Sequence, residues 1–181
     1  MPARLADWVI VFDLDDTLYK EVEYVVSGIR SVAKVLNLLY GIDLTQLLLD
    51  ARASGIADFL GVACTTLNLP VDVKESLIWL YRLHFPDIAL EPQVRAVLDD
   101  LRNAAAALAI LTDGRAVTQR LKLNALGLSD LPVYISEEFL SEKTDTLRFV
   151  AIAAHWPGKH YVYVADNPAK DFYAPNTLDW L

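Results

Sequence analysis

Val9-Ile10-Val11-Phe12-Asp13-Leu14-Asp15-Asp16-Thr17-Leu18-Tyr19 is the stretch on which the reading of this sequence turns. Its first four residues are a continuous β-branched and aromatic run, the pattern of a strand covered on both faces, as in parallel sheets. Three carboxylates follow within four positions, at the carboxyl end of that strand, where open α/β sheets place their ligand sites. Like charges a few ångströms apart raise one another's proton affinity, and a bound cation is the usual remedy. All-oxygen ligation suits Mg²⁺, which takes one or two carboxylates and completes its shell with water and phosphate oxygens. The competing reading is a polar turn that caps a helix, since Asp16 and Thr17 are both good N-cap residues. Asp13 resists that reading, because a carboxylate directly after four buried apolar residues is costly without a purpose.

Outward from this stretch, similar apolar runs recur at 107–111, 133–135 and 161–165. Helical patterns at 92–103, 117–126 and 146–154 separate them; the first opens on Pro92 and the second closes on Gly127. Strands alternating with helices predict an α/β fold, a doubly wound parallel sheet of Rossmann-like type with helices on both faces. One segment breaks the alternation. Residues 19–87 contain no strand pattern but several amphipathic helices, punctuated by Gly41, Gly55 and Pro70. In the first of these, Val22, Val25, Val26, Ile29, Val32, Ala33 and Leu36 share one face. The domain reading is therefore a core of 1–18 and 88–181 with an inserted helical cap at 19–87.

Composition narrows the function. The 181 residues are 54% hydrophobic and 22% charged, enough apolar volume for one main core, and the net charge is −8. That acidity removes the general attraction to phosphate backbones, so neither nucleic acid nor an anionic membrane is an expected partner. Cys64 is the single cysteine and can form no intramolecular disulfide. No apolar run approaches the roughly 20 residues needed to span a bilayer, and no targeting segment is recognisable, so the expected location is cytoplasmic.

Three further motifs follow the first in order: Leu111-Thr112-Asp113-Gly114, then Lys143 at the end of 136–143, then Asp166 and Asp171 within 164–172. With Asp13, Asp15 and Thr17 they resemble the four motifs of the haloacid dehalogenase superfamily, across nearly the whole chain. The resemblance implies that Asp13 is the nucleophile and forms an aspartyl-phosphate, and that Asp15 is the general acid and base. It implies that Thr112, with the groups of Asp113 and Gly114, binds the phosphoryl oxygens, and that Lys143 balances charge on Asp13 and the phosphate. Asp13, the Asp15 carbonyl and Asp166 would hold Mg²⁺, with Asp171 as an outer partner.

Asp15 favours phosphate esters, because branches of the superfamily that cleave carbon–halogen or carbon–phosphorus bonds have no alkoxide to protonate. The insertion resembles the helical cap type, which implies a small phosphorylated metabolite as substrate. Within it Tyr19, Arg82 and His84 are candidate substrate contacts. The expected activity is Mg²⁺-dependent hydrolysis of a phosphomonoester; a phosphomutase using the same intermediate and a weakly active phosphate-binding module are the alternatives. Against the family pattern the core looks cut short at its C-terminal edge, which would leave the strand at 161–165 exposed and predicts a homodimer through that edge.

Overall fold

In the computed structural model, which describes residues 4–181, the opening apolar run forms β1 (Trp8–Phe12), buried along four of its five residues. The chain then runs through α1 (Glu21–Tyr40), α2 (Thr45–Ala53), α3 (Phe59–Thr66), α4 (Val73–Leu83) and α5 (Pro92–Ala104) to β2 (Ala107–Thr112). Next come α6 (Ala116–Leu126), β3 (Val133–Ile135), α7 (Ser136–Phe139), α8 (Leu147–His155), β4 (His160–Val164) and α9 (Tyr173–Thr177). The strands form one parallel sheet in the order β3-β2-β1-β4. This is the Rossmann-like α/β arrangement expected from the alternation of elements.

The order reverses between β1 and β4, because the chain lays down β2 and β3 on one side and returns across β1 for β4. A crevice at the carboxyl ends of such strands is where open sheets bind ligands. Phe12 stands in register with Ile110 and Val164, and the Asp13 amide donates to the Val164 carbonyl at 2.9 Å. The ladder thus continues one residue past β1 and pins Asp13 at the rim.

Side chains alternate between the two faces of the sheet. Val9, Val11, Ala109, Leu111 and Tyr163 pack with Phe149 and Ile152 of α8 and with Ala174 and Trp180. Ile10, Phe12, Leu108 and Ile110 point the other way and are also buried; α5 lies on that face, its Val94 and Leu98 lining a cavity with Phe12 and Val164. The outer edge of β4 is not bare as expected. The Leu181 amide donates to the Tyr161 carbonyl and the Tyr163 amide to the Leu181 carbonyl, while Trp180 stacks on Tyr161. Val164, on the face away from α8, stays 38% exposed.

The chain divides into two compact units, one running to Glu21 and resuming at Ala89, the other Val22–Ile88. The second unit is a helical cluster around Val25, Ile29, Val32 and Leu36 of α1, spaced to fall on one helical stripe. Leu48, Phe59, Leu60, Ala63 and Leu77 from the other helices complete it. Val22, placed by periodicity on the same stripe, is exposed. The Asp58 side chain caps α3 by accepting from the Gly61 amide at 3.0 Å.

Candidate active site

The strand ends of the core unit enclose a cavity of about 200 Å³ lined by Asp13, Asp15, Thr112, Asp113, Lys143, Asp166 and Asp171, together with Asp16, Glu21, Asn167 and Lys170. Asp13 is 3% exposed. Its Oδ2 lies 2.6 Å from Lys143 Nζ, and its Oδ1 accepts from the Leu14 amide at 2.7 Å. Lys143 also reaches Asp171 Oδ1 at 3.3 Å, so one buried cation serves two buried carboxylates. Burial pushes the Asp13 carboxyl up to about 6, with Asp171 adding to the rise, against the lowering influence of Lys143 and the Leu14 amide.

Asp166 completes an acidic group. One carboxylate oxygen from each of Asp13, Asp166 and Asp171 lies within 4.8 Å of the others; Asp13 and Asp171 are buried, whereas Asp166 is exposed. Three hard oxygen donors on the rim of a cavity fit a small divalent cation that keeps open positions for water and substrate. Asp171, expected outside the ligand set, stands inside this group of oxygens. The Asn167 amide donates to its Oδ2 at 3.3 Å.

Thr112 is 1% exposed, and its Oγ1 has no hydrogen-bond partner. A buried hydroxyl left unsatisfied at the wall of a polar cavity is suited to donate to an oxyanion. Gly114 serves differently from expectation: its amide donates to Ser136 Oγ at 2.9 Å. Its φ of 138° and missing Cβ matter, since a Cβ there would stand 2.7 Å from Gln119 Nε2. Asp113 accepts from Arg148 at one oxygen and from Lys170 Nζ at the other, 2.8 Å away. Burial raises its carboxyl, but Lys170 and Arg148 prevail and leave it below the ordinary carboxylate value.

Asp15 faces the same cavity, yet its carboxylate is heavily engaged. Lys122 Nζ lies 2.7 and 2.9 Å from its two oxygens, Gln119 Nε2 donates at 3.1 Å, and the Tyr19 hydroxyl donates to Oδ1. Sequence reasoning missed Lys122, Gln119 and Arg148. Gln119 and Lys122 fall on the helical stripe of Leu123 and Leu126, and Arg148 adjoins Phe149 and lies four residues from Ile152. Polar residues on a core-facing stripe were the available signal.

The three candidate substrate contacts all have protein partners. Tyr19 is buried and donates to Asp15. His84 is 5% exposed, with Nδ1 at the Tyr81 carbonyl and Nε2 3.2 Å from Ser27 Oγ, which corrects the expectation that it faces a ligand. Arg82 is half-buried with its guanidinium 5.7 Å from the centre of the Trp79 ring.

A family model described as haloacid dehalogenase-like hydrolase matches residues 10–177. No curated protein matches the sequence significantly. Among solved structures, 2-haloacid dehalogenase from Pseudomonas syringae pv. tomato is 19% identical, with a TM-score of 0.62 over 95% of this chain and 83% of that one. A protein from Thermotoga maritima assigned as a β-phosphoglucomutase is 19% identical, with a TM-score of 0.63 over 95% and 82%. YfnB from Bacillus subtilis, assigned as a HAD-hydrolase and solved with magnesium bound, is 17% identical, with a TM-score of 0.60 over 95% and 83%. These likenesses establish the shared fold.

Proposed function

This chain belongs to the haloacid dehalogenase-like hydrolases, and on that premise we propose that it hydrolyses a small phosphomonoester through an aspartyl-phosphate on Asp13. The observation that carries this reading is the pairing of buried Asp13 with Lys143 in a cavity that also presents Asp15. A halide leaves as a stable anion, whereas the alkoxide of a phosphate ester needs a proton, so a second carboxylate two residues beyond the nucleophile suits phosphate chemistry.

In the first step a carboxylate oxygen of Asp13 attacks phosphorus, the bond from phosphorus to the ester oxygen breaks, and Asp15 gives that oxygen its proton. Thr112 Oγ1 donates to a phosphoryl oxygen, and Lys143 offsets charge on Asp13 and the phosphoryl group. In the second step Asp15 takes a proton from water as the water oxygen attacks phosphorus, and Asp13 leaves as carboxylate with inorganic phosphate released. Asp13, Asp166 and Asp171 would hold Mg²⁺, which supplies charge neutralisation and orientation when bound. Magnesium in the similarly folded YfnB supports that assignment.

Asp13→Asn tests the reading. Turnover of a panel of phosphate esters with Mg²⁺ should fall by roughly 10⁴-fold or more, the scale seen when a nucleophile is removed. Turnover retained within about tenfold would refute the mechanism.

A further inference from the structure

Asp15 must present an oxygen to the leaving group and then to water, yet the structure gives both of its oxygens to the protein. Oδ1 accepts from Lys122 Nζ and the Tyr19 hydroxyl, and Oδ2 from Lys122 Nζ and Gln119 Nε2. An ionised carboxylate has about four lone-pair positions, and these four contacts fill them. Lys122 is the stronger holder. It is 3% exposed, so its charge is poorly screened, and it touches both oxygens. Gln119, one turn earlier on α6, is tied in place by a second donation to the Asp113 carbonyl at 2.6 Å, in space that the missing Cβ of Gly114 leaves open. Clamp and carboxylate belong to the core unit, so the hold is a property of that unit alone.

We infer that Lys122 is a positioning residue that keeps Asp15 withdrawn from the reacting phosphorus, and that the aspartyl-phosphate on Asp13 is consequently long-lived toward water. The inference rests on the proposed phosphatase mechanism and adds to it the slow step. While Asp15 is held, it can neither protonate an alkoxide leaving group nor take the proton of the attacking water; p-nitrophenolate leaves without that proton, so with such an ester only cleavage of the bond between phosphorus and Asp13 waits for its release. An intermediate shielded in this way can also be passed to a second hydroxyl.

The test is rapid-quench measurement of hydroxylamine-labile phosphoprotein formed from p-nitrophenyl phosphate with Mg²⁺, followed by its decay after substrate is removed. Lys122→Met should speed decay about tenfold, a fraction of what a freed acid/base group contributes. Lys122→Arg should restore slow decay. In an Asp15→Asn background the Lys122 substitution should change nothing. If Lys122→Met fails to fold by circular dichroism, Gln119→Leu replaces it and should accelerate decay in the same direction by less. Decay that is unchanged or slower in the folded variant, or accelerated equally without Asp15, overturns the inference while leaving the phosphatase reading intact. A wild-type chain that forms no phosphoprotein and hydrolyses no ester overturns both.

Discussion

The core unit and the helical unit bury different chemistry. Among the described residues of 22–88, the buried polar side chains are Ser27 and His84, which contact each other at 3.2 Å. The core buries Asp13, Asp171, Lys143, Lys122 and Arg148. Apolar burial is non-directional and tolerates repacking. Buried charge persists only where partners stand at fixed positions, because each unpaired ion costs several kcal/mol. The contrast teaches that charge is buried where the strand ends converge on the polar cavity, whereas apolar burial holds the helical unit.

Substituting Arg148 attacks the contrast at its strongest point. Its guanidinium, fully buried, donates to the Thr112 carbonyl at 2.9 Å, the Tyr134 carbonyl at 3.3 Å and the Asp113 carboxylate. Arg148→Met should cost about 3–5 kcal/mol in urea denaturation, because it strands those acceptors. A loss below about 1 kcal/mol would mean that packing, not charge, holds this loop. Leu48→Ala probes the other unit, where a fully buried leucine leaves a cavity and about 3 kcal/mol should be lost. Hydrogen exchange read separately on 22–88 and on the core strands locates that loss; equal deprotection of β1 would erase the distinction between the units.

A smaller effect has the opposite sign. With chelator present, Asp13 titrates near 6 in the folded chain against 3.8 as its ordinary value. Between those values the folded chain binds more protons than the unfolded one, so stability declines as pH rises through the window. Asp13→Asn should therefore stabilise the metal-free protein by about 2–3 kcal/mol at pH 7, the gain shrinking to nothing below about pH 4. Thermal melts across pH decide it. A variant less stable than wild type at pH 7 would show that the Lys143 contact outweighs burial.

Much of the fold was legible because burial writes itself into hydrophobic pattern. The unbroken run 8–12 could only be a strand covered on both faces, and the breakers at Gly41, Gly55 and Pro70 do separate the helices of the second unit. Short elements such as α7 and α9 carried too few periods to be read. At the site, acidic residues directly after apolar strands announced themselves. Lys122 and Arg148 did not, since a lysine or arginine in a helix is usually solvated and only its facing partner makes burial tolerable. His84 misled for the converse reason: a polar residue at a segment boundary looked available until Ser27 and Tyr81, distant or near in sequence, occupied its nitrogens.

The sequence by itself determined the parallel α/β core, the helical insertion and the carboxylates at the strand ends, because periodicity and local order of residue types suffice for each. Only the tertiary structure decided that one lysine bridges Asp13 and Asp171, that Arg148 holds the Asp113 loop, and that Lys122 meets both oxygens of Asp15. Each of those depends on a charge meeting its partner across long stretches of chain. Electrostatic pairing falls off over a few ångströms of space and leaves no periodic mark along the sequence.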